Sequence, residues 1–155
     1  MKKTGLFLVV LAGFVVAAGD PPGFTHWKAA DLKAYEQQMV KKLGPTKGAT
    51  QQLIDFGTHL TMMAHRQTDG EAEIHEGVTD VFYVLSGEGT LVVGGKVIGG
   101  KSTGPGELRG TSIQGGVSKK LAAGDIVNIP VRTPHQTLVK AGQQITYFVV
   151  KVKAR

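Results

Sequence analysis

From Pro45 onward the chain never sustains a helical period. Leu53–Phe56, Leu60–Arg66, Ala72–Glu76, Val81–Leu85, Thr90–Val93, Ile126–Ile129, Gln136–Val139 and Ile145–Val152 are short runs rich in β-branched or aromatic residues. Gly, Pro, Asp or Asn punctuate most of them. Many strand-length runs between turn signals pack as a sandwich or barrel, because each can bury only one face against another. Of 22 glycines, twelve lie between Gly87 and Gly124, a segment without aromatic residues. That density predicts one strand followed by a long irregular loop at about Gly99–Gly116, and loops this long are usually functional or mobile. No internal repeat is evident.

Ahead of Pro45 the pattern is helical. Thr25 is the expected cap of a helix from about His26 to Leu43. Trp27, Ala30, Ala34, Met39 and Leu43 fall roughly on one face, and Gly44-Pro45 ends the run, since proline cannot continue a helix. One apolar stripe implies packing on the domain or on a second subunit.

The first residues read as an export signal. Lys2-Lys3 precede sixteen uncharged residues, Thr4 to Gly19, with an apolar centre and the small-residue ending Val16-Ala17-Ala18. A basic start, a short apolar core and an Ala-x-Ala-like end are the parts of a cleaved secretory signal. The competing reading is a membrane anchor, which needs about 20 apolar residues. This stretch is shorter and runs into Asp20-Pro21-Pro22-Gly23. The expected organisation is therefore a signal peptide at 1–18, a linker and helix at 19–45, and one β domain at 46–155. The mature protein is expected in the periplasm or secreted, with no membrane attachment after cleavage. The chain has no cysteine, so it has no disulfide framework, no thiolate metal site and no lipid-bearing cysteine.

The formal charge of +6 falls to +4 once Lys2 and Lys3 are removed. The other basic residues are dispersed and not interleaved with aromatics, which argues against nucleic-acid binding. They still favour small anionic ligands by steering. Gly95-Lys96-Val97-Ile98-Gly99-Gly100-Lys101-Ser102 fits a phosphate-loop pattern. Phosphate binding there needs a helix to start at the Lys-Ser, and Thr103-Gly104-Pro105-Gly106 forbids one. No serine or cysteine nucleophile arrangement is legible.

Two blocks carry the stronger signal. The first is Glu73-x-His75, four residues, Asp80, six residues, Gly87. On strands, Glu73 and His75 share a face, as do Asp80, Phe82 and Val84. Gly77 allows the turn between them. The second is Gly124-Asp125, then Ile129-Pro130, then Pro134-His135. Gly124-Asp125 makes a turn, and Pro130 and Pro134 bracket a bend that delivers His135 to a strand.

These blocks resemble the two motifs of the cupin superfamily, G-x5-H-x-H-x3–4-E-x6-G and G-x5-P-x-G-x2-H-x3-N, over roughly Leu60–Val152. The resemblance implies an all-β, antiparallel jelly-roll barrel with the ligand site inside it, here with one N-terminal helix. It implies a divalent metal (iron, manganese, nickel or zinc) held by His75, His135, Glu73 and Asp80. Glu73 stands for a histidine, Asp80 for a glutamate, Arg132 for a glycine and Val139 for an asparagine. Asp80 is shorter than glutamate by one bond, ~1.5 Å, so it reaches the metal or instead supports a ligating histidine. Cupins commonly form homodimers. Arg132 is a candidate for a substrate carboxylate, and Phe82 and His65 are candidate substrate contacts. Glu107 and Arg109, in the expected loop, are candidates for a lid contact. The function implied is metal-dependent oxygenation, isomerisation or lysis of a small oxygen-rich molecule. The competing class is a metal-free small-molecule binder or dimerisation module, favoured by the altered ligand set.

Overall fold

The computed structural model describes residues 19–154. The signal-peptide assignment falls on residues outside this range. Among the described residues there is one helix, α1 (Ala29–Lys41), and twelve strands. The strands are β1 (Gly48–Asp55), β2 (His59–Arg66), β3 (Ala72–His75), β4 (Val78–Val93), β5 (Lys96–Ile98), β6 (Lys101–Gly104), β7 (Glu107–Gly110), β8 (Ser112–Gln114), β9 (Val117–Ala122), β10 (Ile126–Ile129), β11 (His135–Leu138) and β12 (Ile145–Lys153). The order β1-β2-β12-β4-β11-β3-β7-β6 makes one curled antiparallel sheet, with β9 and β10 also paired to β4 and β5-β8 as a separate ribbon. The fold is an antiparallel jelly-roll barrel with a single helix, in keeping with the short β runs of the sequence.

Strand β4 holds the two walls together. Its first half pairs with β12 and β10, and its second half with β9 and β11. It changes walls at Gly87, where φ is +74° and a Cβ would overlap the Gln144 carbonyl. Only glycine fits there. A register shift between Thr146 and Tyr147 of β12 adds a bulge at the same bend, which increases local twist. The sequence suggests two runs, 81–85 and 90–93, because Gly87 and Gly89 look like a turn; the structure has one strand. Ala64, Phe82, Val84, Leu91, Leu121, Ile129, Ile145, Tyr147 and Val149 form the core between the walls.

Two expectations need correcting. The segment Gly99–Gly116 is not an irregular loop but contains β6, β7 and β8. Two of its glycines lie where another part of the chain passes closely: a Cβ at Gly110 would meet Val97 and Ile98, and one at Gly116 would meet Val92. Glycine is depleted in strands but is needed at such crossings. The helix also starts later than expected. The Asp31 carboxylate accepts a hydrogen bond from the Lys28 backbone N–H at 2.9 Å, so Thr25 does not cap it. Met39 is the buried anchor, with Leu32, Tyr35, Glu36 and Leu43 half-buried, while Ala30 and Ala34 face solvent. No described helix is long and apolar enough to cross a membrane.

Candidate metal centre

Alternation along β3 places Glu73 and His75 on the same face, toward the barrel interior. His135 opens β11 directly opposite Glu73 in the antiparallel register. The bend before it is built from backbone contacts: the Arg132 N–H donates to His75 O at 2.7 Å, and Thr133 N–H donates to Pro130 O at 3.3 Å. Asp80 enters from the other wall, two residues into β4, with Phe82 and Val84 on its face as expected.

The ligating atoms of Glu73, His75 and His135 all lie within 4.8 Å of one another. Both imidazoles are aimed by their Nδ1. That of His135 donates to Thr133 O at 2.9 Å, and that of His75 lies 2.7 Å from a Glu107 carboxylate oxygen. Such contacts fix the tautomer and turn Nε2 toward the site. The buried His135 Nε2 has no hydrogen-bond partner. An unpaired buried acceptor costs about 1–3 kcal/mol unless something fills it. Burial also holds the His135 pKa below its usual value, despite the charges of Glu73 and Asp80, so its Nε2 keeps a free lone pair.

Asp80 stands apart from this triad. Lys151, its partner across the β12–β4 ladder, places Nζ 2.8 and 2.7 Å from its two carboxylate oxygens. Burial raises the Asp80 pKa, but the His75 hydrogen bond and the Lys151 charge more than reverse it, so the carboxylate is ionised. Its oxygen remains 3.4 Å from His75 Nε2 and 3.8 Å from His135 Nε2. The shorter side chain thus meets a cation of its own chain before it meets the triad. Glu73 is likewise paired: Arg109 makes a close ion pair with it, and Arg66 lies 3.9 Å away. Burial pushes the Glu73 carboxyl up, but His75, Arg109 and His135 together bring it down to about 2.

His75 is the contested member. Burial disfavours its charged form, yet its hydrogen bonds to Asp80 and Glu73 lift its pKa to about 9. Lys151 Nζ lies 2.9 Å from the same Nε2, so the line between them holds one proton and not two. The donor set of Glu73, His75 and His135 fits a divalent metal: two imidazoles and a carboxylate leave open positions for substrate. A metal bound there would take the His75 lone pair, and Lys151 would have to give it up.

The site opens into a chamber of about 140 Å³ lined by Glu73, Asp80, Lys151, Arg66 and Arg109, with Phe82, Tyr147 and Val149 among its apolar walls. Phe82, a candidate contact in the sequence, does line it. Arg132 does not: it is exposed on the bend, with φ +60°. His65 does not either, because alternation along β2 sends Ala64 and Arg66 inward and His65 outward, beneath α1. There its Nδ1 lies 2.8 Å from the Thr146 hydroxyl, which donates to Glu36 at 2.6 Å. Burial lowers the His65 pKa against the pull of Glu36. Glu107 and Arg109 are not on a lid but on β7, in register with His75 and Glu73. Arg66, Arg109, Glu107 and Lys151 are the site residues that motif spacing does not supply. Their only sequence signal is alternation on strands whose register the sequence leaves open.

No family model matches the sequence, and no curated protein does. Solved structures do match the fold. A protein from Thermus thermophilus is 20% identical, with a TM-score of 0.52 over 74% of this chain and 93% of its own. A predicted oxalate decarboxylase from Thermotoga maritima is 14% identical, with a TM-score of 0.52 over 69% of this chain and 81% of its own. A cupin-2 domain protein from Rhodospirillum rubrum is 17% identical, with a TM-score of 0.51 over 70% of this chain and 62% of its own. The chain has the cupin fold.

Proposed function

We propose that this chain is an exported cupin that holds a divalent metal through Glu73, His75 and His135 and binds a small oxygen-rich molecule beside it. The observation that carries the reading is the buried His135 Nε2, aimed into the triad and without a partner. Iron, manganese, nickel or zinc suits two imidazoles and a carboxylate. Such a metal supplies Lewis-acid polarisation and orientation of a bound oxygen substrate. The chain's own groups do the rest. Thr133 O and Glu107 aim the two imidazoles, Arg109 helps keep Glu73 ionised, and the aromatic pair Phe82–Tyr147, with ring centroids 4.6 Å apart, forms an apolar wall of the chamber. The reaction class is oxygenation, isomerisation or lysis, in the periplasm or outside the cell, by a homodimer.

A second reading rests on Lys151 and Arg109. Each carboxylate of the expected ligand set already has a cation from this chain. On that reading the barrel is a metal-free binder. Elemental analysis of the exported protein, purified without chelators, separates the two. Near-stoichiometric metal that disappears in His75→Ala and His135→Ala supports the first. A folded protein that stays metal-free after incubation with zinc, manganese and iron(II) sinks it and leaves the binder.

A further inference from the structure

The three cations of the chamber are not equally engaged. Lys151 directs its three contacts at Asp80 and His75, and Arg109 is committed to Glu73 and Glu107. Arg66 is different. Its Nε donates to the Tyr147 hydroxyl at 3.1 Å, and its nearest carboxylate oxygen, on Glu73, is 3.9 Å from its terminal NH2. Its two terminal amino groups make no hydrogen bond among the described residues. The guanidinium also has a seat. A Cβ at Gly70 would stand 2.8 Å from its Cζ, so the absence of a side chain there lets it lie flat on the backbone.

The place of Arg66 matters as much as its free donors. The inner chamber adjoins an outer vestibule of about 330 Å³ that reaches Thr46 and Glu71, and both cavities are lined by Thr50, Arg66 and Arg109. Arg66 therefore stands at the neck, with its fixed Nε side on Tyr147 and its terminal groups unspent. The chamber lining carries Arg66, Arg109 and Lys151 with Glu73 and Asp80, while Glu107 also faces Arg109 and Asp69 and Glu71 line the vestibule, so what sets Arg66 apart is its unspent donors and not a surplus of charge. About 140 Å³ is below the range of drug-sized pockets, roughly 300–1,000 Å³, so the occupant has only a few heavy atoms. A planar fork with parallel N–H donors matches a carboxylate bidentately, and the apolar walls suit a short carbon chain.

We infer that Arg66 is the specificity-determining residue of the chamber, and that its ligand is a small monocarboxylate whose carboxylate docks on the guanidinium at the neck. The inference rests on the small-molecule part of the functional reading above and not on the metal. The ligand's remaining oxygen or carbon end points inward, toward His135 and Glu73. Tyr147 is a positioning residue, because it acts only by orienting the guanidinium.

Calorimetric titration with acetate, glycolate, lactate and pyruvate, each against its amide, tests this in zinc-treated and chelator-treated full-length mature protein. At least one acid should bind tenfold or more tighter than its amide. Arg66→Gln should remove that preference at unchanged zinc content and an unchanged circular dichroism spectrum. Arg66→Lys should restore charge but only part of the preference, since an ammonium lacks the fork. If no acid outbinds its amide, or Arg66→Gln keeps the preference, the inference is overturned. A protein that takes no metal yet shows the Arg66-dependent preference would keep this inference while removing the metal reading. Should Arg66→Gln unfold, Tyr147→Phe carries the test, with a several-fold loss of preference expected and no loss counting against it.

Discussion

Lys151 and Asp80 face each other across β12 and β4, and the ammonium reaches both carboxylate oxygens within 2.8 Å while also touching His75 Nε2 at 2.9 Å. The lysine thus sits on a nitrogen that a metal would need. Metal affinity and the integrity of this pair are coupled through one atom.

Lys151→Met separates the two effects. It leaves the Asp80 carboxylate buried without a cation, and breaking a buried pair from one side costs roughly 3–5 kcal/mol. The metal-free variant should melt well below the parent protein. It also removes a cation beside the triad and leaves the Asp80 carboxylate free to face a metal, so zinc should bind at least tenfold tighter at alkaline pH, where His75 has lost its proton, and recover much of the lost stability. Thermal melts with and without zinc check both halves; a variant that binds zinc no better than the parent would show that Lys151 does not compete.

Glu107→Ala probes the aim of His75. Its carboxylate lies 2.7 Å from His75 Nδ1 and is about one-third exposed. Removing a supporting acceptor of this kind costs about 10–100-fold in metal affinity. Zinc competition against a chromogenic chelator should show that loss with little change in the melting temperature. Equal affinity in the two proteins would mean that backbone and packing alone orient the ring.

The pH dependence of the metal-free protein follows from opposite shifts. Glu73 is depressed to about 2 and Asp80 is also lowered, so their stabilisation is full above about pH 4.5 and is lost as pH falls toward 2. For Glu73 the loss is on the order of 3 kcal/mol. His75 is raised to about 9, so its share is full below about pH 6.5 and is lost as pH climbs through 9. Urea midpoints measured from pH 2 to 10 should peak between these limbs. Because a metal must displace the His75 proton, zinc affinity should increase across the same alkaline range. A flat profile on both sides would remove the charge cluster from the account of stability.

Arg132→Gly is expected to be neutral or stabilising, by up to about 1 kcal/mol. The residue sits at φ +60°, where a side chain costs roughly that much and glycine does not, partly offset by the freedom glycine adds to the unfolded chain. Its N–H bond to His75 O survives the change. A large drop in denaturant midpoint would reveal a role for the exposed guanidinium that the structure does not suggest.

That position also illustrates how far the sequence can be followed. The bend from Pro130 to His135 and the Glu73–His75 pair are legible because they depend on local spacing, and local spacing dictates alternation and turns. The glycine expected at 132 is absent, yet the backbone still adopts the glycine conformation. Lys151, Arg66, Glu107 and Arg109 are not legible as a set. Each reaches the site only through the pairing of distant strands: β12 with β2 and β4, or β7 with β3. A one-residue slip in any of those registers would turn the side chain to the other face. The glycine-rich stretch misleads for a related reason: Gly110 and Gly116 answer to neighbours that the sequence does not name. His65 is misplaced by sequence reasoning because its strand is visible and the inward face of that strand is not.

Strand β12 lies between β2 and β4 in the sheet, yet it is the last of the described strands in chain order. Until residues 145–153 join the sheet, β2 and β4 each offer an unpaired edge, and such edges recruit other chains. Tyr147, Val149 and Lys151 arrive on that strand together, bringing the chamber wall, the Arg66 rest and the Asp80 counter-charge at once. The barrel therefore cannot close without completing this wall of the chamber: the strand that seals the sheet also brings the cation that faces Asp80.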